Sequence, residues 1–410
     1  MTIEYRQITW DEHRALAVLI ERGFGSHYEP SDERYEIDKK VLTPETTMVA
    51  FDDGVIIGSS AALPFESAVP GGAIVRNAGV TAVVVSATHR RRGVLTEMMD
   101  RLHRQERDRG RPVASLWASE SIIYGRFGYG IAIEHENYLI DTRQAEFKHM
   151  PEIPGRIRFI DREEARKVLP IAWEAAVQAH VGIPRRDDVS WDGYVLGLNE
   201  SRDGWSKPFV VVYEEAGQPL GFAPYRVKDL HVFGEQSHGV IHTEFVIHSS
   251  PASHAALWNH LLNVDLYDRV STQRSPVDDG LPWMLADPRQ LQRNPYDGVW
   301  YRLLDVAEAL AARTYLAEGD LVFEVDDSFI PEWGGRFELK GGPDGATCRA
   351  TTRSADITLP TASLAAIYLG GAKLADLHRA GRAEENTEGS ISRADAMFAT
   401  VRAPWCPLMF

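Results

Sequence analysis

The feature that most constrains the fold is a strand pattern that leads directly into a basic turn and an amphipathic helix. Residues Val80 to Val85 include three consecutive valines, which predict a strand buried on both faces. Ser86 to Gly93 follow as a basic, glycine-containing turn, and apolar residues from Val94 to Leu102 recur at helical spacing. Because a strand buried on both faces needs helices above and below it, this pattern predicts an α/β fold.

The remainder of the first third supports the same layered fold. Thr9 and Glu12 form a capping-box pattern in front of a helix, and Met48 to Leu63 alternate around the turn at Gly54 as a hairpin does. Val113 to Trp117 form one further short apolar strand. The order helix, hairpin, strand, helix, strand predicts one α/β domain over residues 1–148.

The middle third, residues 149–297, repeats this order. The local pattern predicts a strand over Glu244 to Ile247, and a shift of 162 positions places Thr81 on Thr243 and Leu95 on Leu257. We interpret the repeat as a degenerate internal duplication, although strand and helix patterns also align by chance. The basic turn has no counterpart in the second copy, so we expect that copy not to bind what the first one binds.

The last third, residues 298–410, reads as strands followed by helices, which predicts a separate α+β domain. The sequence finishes on the apolar stretch Trp405 to Phe410. Since chain ends are usually polar and frayed, we expect this stretch to be docked. The fold class is therefore α/β with an α+β domain at the end.

Composition and net charge limit the kinds of partner that the protein can bind. With 44 Lys and Arg against 59 Asp and Glu the formal net charge is −15, which disfavours nucleic acid and anionic membrane and favours a cationic partner. Cys348 and Cys406 are the only cysteines, so we expect no zinc cluster, no other metal and no disulfide framework. The sequence has no membrane-spanning stretch and no signal-peptide pattern, so we expect a cytoplasmic protein.

The basic turn is the strongest candidate for a binding site. Unpaired N–H groups at the start of a helix bind anions, Gly93 lets the backbone approach a bulky anion, and Arg90 to Arg92 add positive charge. A pyrophosphate suits such a site, while a solvated basic turn is the alternative. The sequence contains no G-x-S-x-G, H-E-x-x-H, P-loop or G-x-G-x-x-G motif. We interpret the histidines spaced six apart, His242 to His260, as structural or surface residues.

Two segments resemble known acetyltransferases. Arg90 to Leu95 are similar to the acyl-CoA signature of the GNAT enzymes, in which Arg or Gln precedes x-x-G-x and a small residue, except that Leu95 replaces the small residue. Trp117 to Gly130, with its Y-G-R-F-G-Y-G run, together with His89 to Gly93 and the aromatic end of the sequence, resembles the enhanced intracellular survival (Eis) branch. The resemblance covers the whole chain. It implies an acetyl-CoA-binding GNAT domain, a degenerate second GNAT-like domain and a domain like sterol carrier protein 2.

The same resemblance implies residue roles. The coenzyme contacts would fall on Val83, Val84, Val85, Arg90, Arg91, Arg92, Gly93, Val94, Leu95, Thr96, Ser119 and Glu120. Tyr124 would be the general acid that protonates the departing thiolate, because a phenol keeps its proton at neutral pH. The base would be the α-carboxylate of Phe410, whose basicity burial among apolar neighbours could raise.

The resemblance also implies the acceptor, an amine of a cationic multi-amine molecule such as an aminoglycoside, and a homohexamer. Phe24 is the candidate acceptor contact, with the acid-rich segment from His27 to Glu45 beside it; Ser26 stands where an acidic residue would have supplied charge. Two alternatives stay open. The acceptor could be a protein lysine, or the chain could be a non-catalytic protein that binds lipid or acyl-CoA through its last domain.

Overall fold

The computed structural model describes residues 3–25, 32–198, 200, 204–230 and 238–410. The first third contains β1 (Glu4–Gln7), α1 (His13–Phe24), α2 (Asp32–Val41), β2 (Thr47–Asp52), β3 (Val55–Ala68), β4 (Ile74–Val85), α3 (Val94–Asp108), β5 (Val113–Trp117), α4 (Ser121–Tyr124), β6 (Gly130–Ile131) and β7 (Glu134–Asp141). The predicted elements of this part are all present. The Thr9–Glu12 capping box forms at the 3₁₀ turn that precedes α1.

The middle third contains β8 (Arg156–Ile160), α5 (Arg162–Ala179), α6 (Asp188–Gly197), β9 (Phe209–Glu215), β10 (Gln218–Asp229), β11 (Gly239–Thr243), β12 (Ile247–His248), α7 (Pro251–Leu262), β13 (Arg269–Pro276), α8 (Leu281–Met284) and β14 (Leu291–Asp297). The strand predicted over Glu244 to Ile247 is wrong, because the observed strand ends at Thr243. There the single proton of the Thr243 hydroxyl is shared between the carbonyls of Pro224 and Phe245, and the contact with Phe245 spans the bend at which the strand is interrupted.

The last third contains β15 (Val299–Leu303), α9 (Val306–Ala311), β16 (Gly319–Asp326), β17 (Gly335–Gly342), β18 (Gly345–Ala350), β19 (Ile357–Pro360), α10 (Thr361–Ile367), α11 (Leu374–Arg379), β20 (Glu384–Glu385) and α12 (Ser390–Phe398). The predicted order of strands followed by helices holds for β16 to β19 and α10 to α12, but α9 precedes these strands and β20 lies between α11 and α12. Its five-stranded sheet has the order β18-β17-β16-β19-β20.

The chain divides into two compact units. Unit 1 comprises Met1–Ala132, Val299–Val401 and Met409–Phe410, and unit 2 comprises Ile133–Gly298 and Arg402–Leu408. Unit 1 contains the five-stranded sheet and a seven-stranded sheet of order β1-β2-β3-β4-β5-β15-β6. Unit 2 contains a sheet of order β14-β7-β13-β11-β10-β9-β8, with β12 added to β10.

The sheets of the two units follow the same plan. β4 pairs antiparallel with β3 and parallel with β5, and α3 connects β4 to β5. In unit 2, β11 pairs antiparallel with β10 and parallel with β13, and α7 connects the strands in the same way. The elements before the hairpins also agree, because β1, α1 and α2 precede β2–β3 as β8, α5 and α6 precede β9–β10. The repeat predicted from the sequence is therefore present in the fold.

The two sheets have exchanged one strand. In unit 1 the position between β5 and β6 is filled by β15, which pairs antiparallel with both. In unit 2 the corresponding position between β13 and β14 is filled by β7. Because β7 follows β6 along the chain and β15 follows β14, each sheet is completed by a strand from the other half of the sequence.

Unit 2 buries a cluster of aromatic rings that includes part of the apolar stretch at the end of the sequence. The His248 ring lies 4.6 Å from the His254 ring and 4.9 Å from the His180 ring, measured between centroids. Trp405 packs against His180 and His248, and its indole donates to the carbonyl of Arg274. The docking expected for Trp405 is thus observed, and the histidines at 248 and 254 are core residues.

Two further observations concern membrane-spanning helices and groups of metal-binding side chains. Within the described ranges, no helix has both the length and the apolar character needed to cross a membrane. Among the same residues, no group of His, Cys, Asp and Glu side chains is arranged to hold a metal ion.

Candidate active site

A cavity of about 560 Å³ lies in unit 1 where β4 extends beyond its partner β5. The parallel pairing of the two strands ends at Val80 and Leu116, although β4 continues to Val85. The end of β4 and the residues that follow β5 therefore form facing walls of the cavity. Val83, Val84 and Val85 line one wall, and Ser119 and Glu120 line the other.

A β-bulge sets the direction of the wall formed by β4. Ala82 has a φ of 51°, and the register of β3 with β4 shifts between Ser59 and Ala61. The buried Ser59 hydroxyl donates to the carbonyl of Ala82 at 2.7 Å, which satisfies a backbone acceptor that the disturbed ladder leaves without its usual partner. Such bulges re-aim the backbone, here over the three valines that line the cavity.

The basic turn closes one end of the cavity. Arg91 and Gly93 have φ values of 63° and 80°, and Gly93 is the N-cap of α3. A Cβ built on Gly93 meets no atom within 4 Å, so the backbone there is open to a ligand. The N–H groups of the first turn of α3 have no acceptor within the helix and attract anions. Gly93, Val94, Leu95 and Thr96 line the cavity together with Arg90 and Arg91.

This end of the cavity fits the phosphates of a coenzyme A ester. It combines unpaired backbone donors at a helix start, an exposed glycine and two exposed arginine side chains. Arg92 is not among the lining residues; its Nη1 lies 4.0 Å from the carboxylate of Asp52. His89 does line the cavity, and its Nε2 lies 3.1 Å from the same carboxylate.

The phenol of Tyr124 lies on the wall of the cavity that Ser119 and Glu120 form. Tyr124 ends the short helix α4 and is 5% exposed, and it lines the cavity together with Ser119 and Glu120. Burial raises the pKa of the Tyr124 hydroxyl, the charge of Glu120 raises it further, and a hydrogen bond with Ser119 acts in the opposite direction. The phenol therefore holds its proton firmly at neutral pH, as a general acid requires.

The remaining two predicted site residues differ in position. Phe24 ends α1, lines the cavity and is 54% exposed; the preceding Gly23 allows close approach, since a Cβ there would lie 2.3 Å from Val84. Phe410 is not among the lining residues. Its ring packs edge-on against Phe65 of β3 with centroids 4.8 Å apart.

The cavity also includes residues that sequence reasoning did not assign. Gly23, His89, Ile123 and Arg126 line it in addition to the predicted set. His89 and Arg126 lie inside the two segments that carry the resemblance, so their position in the sequence was a signal that could have been used. Among the predicted acceptor neighbours, Asp32, Glu33 and Glu36 lie on α2, whereas Ser26 lies outside the described residues.

Family models match most of the chain. A model described as an acetyltransferase (GNAT) domain matches residues 4–132, and a second model with the same description matches residues 182–303. A model described as a sterol carrier protein domain matches residues 306–407. The first match covers the cavity, including Tyr124 and the basic turn.

Relatives are similar over nearly the full length. An N-acetyltransferase of Streptomyces avermitilis is 36% identical over 100% of this chain and 99% of its own length. The N-acetyltransferase Eis of Mycobacterium bovis is 33% identical over 88% of this chain and 89% of its own length. The crystal structure of Eis1 from Mycobacterium abscessus superposes with a TM-score of 0.87 at 32% identity and covers 100% of both chains.

Proposed function

This chain belongs to the Eis family of acetyl-CoA-dependent GNAT N-acetyltransferases, and we propose that it acetylates amines of cationic, multi-amine small molecules such as aminoglycosides. It has tandem GNAT domains followed by a sterol-carrier-like domain. The observation that carries the proposal is that one cavity unites the bulged end of β4, the basic turn and Tyr124.

The coenzyme would be held by the residues at one end of the cavity. The N–H groups at the start of α3, with Arg90 and Arg91, suit the pyrophosphate, and the backbone of Val83 to Val85 suits the pantetheine arm. We assign the oxyanion of the acyl-transfer step to a backbone N–H of the same strand, because fixed donors stabilise developing charge without reorganisation.

Tyr124 would supply the proton that the leaving thiolate needs. Its raised pKa keeps the phenol protonated until negative charge develops on sulfur nearby. The matching experiment replaces Tyr124 with Phe, which keeps the ring and removes only the hydroxyl. We expect kcat to fall by about 100-fold, with the KM for acetyl-CoA within about twofold of the parent value. An unchanged kcat would show that Tyr124 is not the acid.

The α-carboxylate of Phe410 is our proposed base, and this assignment rests on the family resemblance. The contact of its ring with Phe65 holds the residue against the sheet of unit 1, whose cavity contains Tyr124. One glycine added after Phe410 displaces the carboxylate and should lower kcat strongly, while Phe410→Leu, which keeps the carboxylate and an apolar side chain, should retain most of it. Normal turnover in the extended chain would contradict the assignment.

The charges of the cavity-lining residues bear on which acceptor binds. Glu120 is the only carboxylate among the described lining residues, against the cations Arg90, Arg91 and Arg126. The charges that line the cavity therefore suit an anionic coenzyme. A polycationic acceptor would be attracted by Glu120 and by the net charge of −15 of the whole protein. The half-exposed ring of Phe24 offers an apolar and cation–π surface at the rim.

Release of the CoA thiol from acetyl-CoA, measured with a panel of acceptors, tests the substrate assignment. The panel contains several aminoglycosides, spermine, a lysine peptide and a control without acceptor. Release with aminoglycosides supports the proposal, and release with the peptide alone favours the protein-lysine alternative. Binding of acetyl-CoA without release in any arm would overturn the substrate assignment.

Three narrower expectations stay predictions. They are the cytoplasmic location, the homohexamer that the resemblance implies, and the division into domains at residues 148 and 297. Binding of lipid by the last domain is likewise untested.

A further inference from the structure

The turn that carries Tyr124 is held from behind by an arginine far away in the sequence. Arg302 lies on β15 with its side chain fully buried, and one arm of its guanidinium donates to the carbonyl of Phe127. The other arm donates to Asp327 at 2.7 Å. Gly128 has a φ of 80°, and a Cβ there would lie 1.9 Å from Nη1 of Arg302. The turn is thus built around this guanidinium.

Asp327 connects the same guanidinium to the sterol-carrier-like domain. Its second carboxylate oxygen accepts from the N–H groups of Phe329 and Ile330 at 3.1 and 2.9 Å. The rings of Phe329 and Trp333 lie 5.7 and 5.5 Å from the guanidinium carbon. A buried ion pair is costly unless its partners also make further hydrogen bonds, and both partners make them here except at Nε of Arg302, which has no partner among the described residues.

A second contact fixes the ring against which Tyr124 packs. The Tyr129 hydroxyl lies 2.9 Å from Nε2 of His103 on α3, and both side chains are fully buried. The rings of Tyr124 and Tyr129 meet edge to face with centroids 6.0 Å apart. Phe127, in the same turn, packs edge-on against Phe329 at 4.9 Å. Phe127 and Tyr129 of the turn are therefore each held by a buried partner outside it, Phe329 and His103.

We infer that Arg302 and Asp327 are positioning residues for Tyr124, and that the sterol-carrier-like domain sets the geometry of proton donation through this ion pair. Neither residue lines the cavity, so neither is expected to touch substrate. The inference rests on the proposed role of Tyr124 as the acid. Displacement of a catalytic group by 1 Å can lower the rate by about 100-fold, so a loosened turn should be visible in kcat.

The alternative is that the pair contributes only to folding. A structural role would lower the amount of active enzyme whatever residue occupies position 124, whereas a positioning role requires the Tyr124 hydroxyl. These two roles separate in a double-mutant cycle of position 327 with position 124.

The test uses Asp327→Asn in the full chain, with Tyr124 and separately with Tyr124→Phe. Asparagine keeps an oxygen for the N–H groups of Phe329 and Ile330 but removes the charge that anchors Arg302. Using the best acceptor of the panel above, we expect kcat to fall about tenfold in the Tyr124 background, with KM for acetyl-CoA within about twofold. In the Tyr124→Phe background we expect no further fall. Equal losses in both backgrounds would overturn the inference.

Arg302→Lys provides a second variant if Asp327→Asn folds poorly. Lysine keeps the buried positive charge but lacks the planar fork that serves Asp327 and Phe127 together, so the same loss confined to the Tyr124 background is expected. Arg336→Met is the matched control, because it removes the exposed Arg336–Glu324 pair of the same domain and should leave kcat unchanged. Full activity of Tyr124→Phe would contradict both the assignment of Tyr124 as the acid and this inference. If Tyr124→Phe loses activity but Asp327→Asn lowers kcat equally in both backgrounds, only the inference is contradicted.

Discussion

Acid should destabilise the protein through histidines that are buried in their neutral form. Burial, together with the charge of Arg402, lowers the pKa of His180 to about 4, against a small opposing effect of its hydrogen bond to the carbonyl of His248. Burial and the neighbouring His254 and His180 lower the pKa of His248 well below its ordinary value. Both side chains surround Trp405 in unit 2.

The size of the effect follows from proton uptake on unfolding. Below pH 6.5 an exposed histidine binds a proton that the buried one does not, so the unfolded state binds more protons and stability falls as the pH falls. Between pH 7.5 and pH 5.5 each such histidine lowers the free energy of unfolding by about 1.4 kcal/mol. His180 and His248 together account for about 3 kcal/mol. The contribution is fully present above pH 6.5 and is lost progressively as the pH falls toward 4.

The assay is urea unfolding at pH 7.5 and pH 5.5, for the parent protein and for His180→Gln combined with His248→Gln. Lost packing lowers the stability of the variant at both pH values, but the difference between the two should shrink by about 3 kcal/mol. His149→Gln is the control, because His149 is exposed and its replacement should leave the difference unchanged. An undiminished difference in the double variant would refute the reasoning that these rings remain neutral in the fold.

Two further predictions each have a matched control in the chain. Gly128→Ala should destabilise the protein by about 2 to 5 kcal/mol, since the new Cβ would clash with Arg302 at a positive φ, whereas Gly125→Ala, whose Cβ meets nothing within 4 Å, should have little effect on the urea midpoint. Ser59→Ala should cost about 1 to 3 kcal/mol and raise the KM for acetyl-CoA, because the carbonyl of Ala82 at the bulge loses its donor. Ser60→Ala removes a buried hydroxyl that has no hydrogen-bond partner among the described residues, so calorimetry should find it neutral or slightly stabilised. Equal effects within either pair would contradict these explanations.

Local patterns in the sequence were enough to predict most helices and strands of the first third and most of the residues that line the cavity. The strand at Val113–Trp117 has its predicted bounds, because a short apolar run between a glycine-terminated helix and a polar segment leaves little freedom. The basic turn was visible for the same reason, since it lies within one strand, turn and helix. Interactions between distant segments left no local signal. Arg302 lies on β15, a strand that the sequence patterns did not predict, and no neighbouring residue indicates that Arg302 holds the carbonyl of Phe127.

The exchange of β7 and β15 has a consequence for synthesis on the ribosome. β5 and β6 can form all of their strand pairs only after β15 has been translated, about 170 residues after β6. At about 5 to 20 residues per second, that interval lasts about 10 to 30 s, during which two strand edges of the nascent chain stay without their partner. Open edges of this kind recruit other chains. The same arrangement means that no single cut of the gene yields two halves with complete sheets, so neither duplicated domain can be expressed alone with all of its strands.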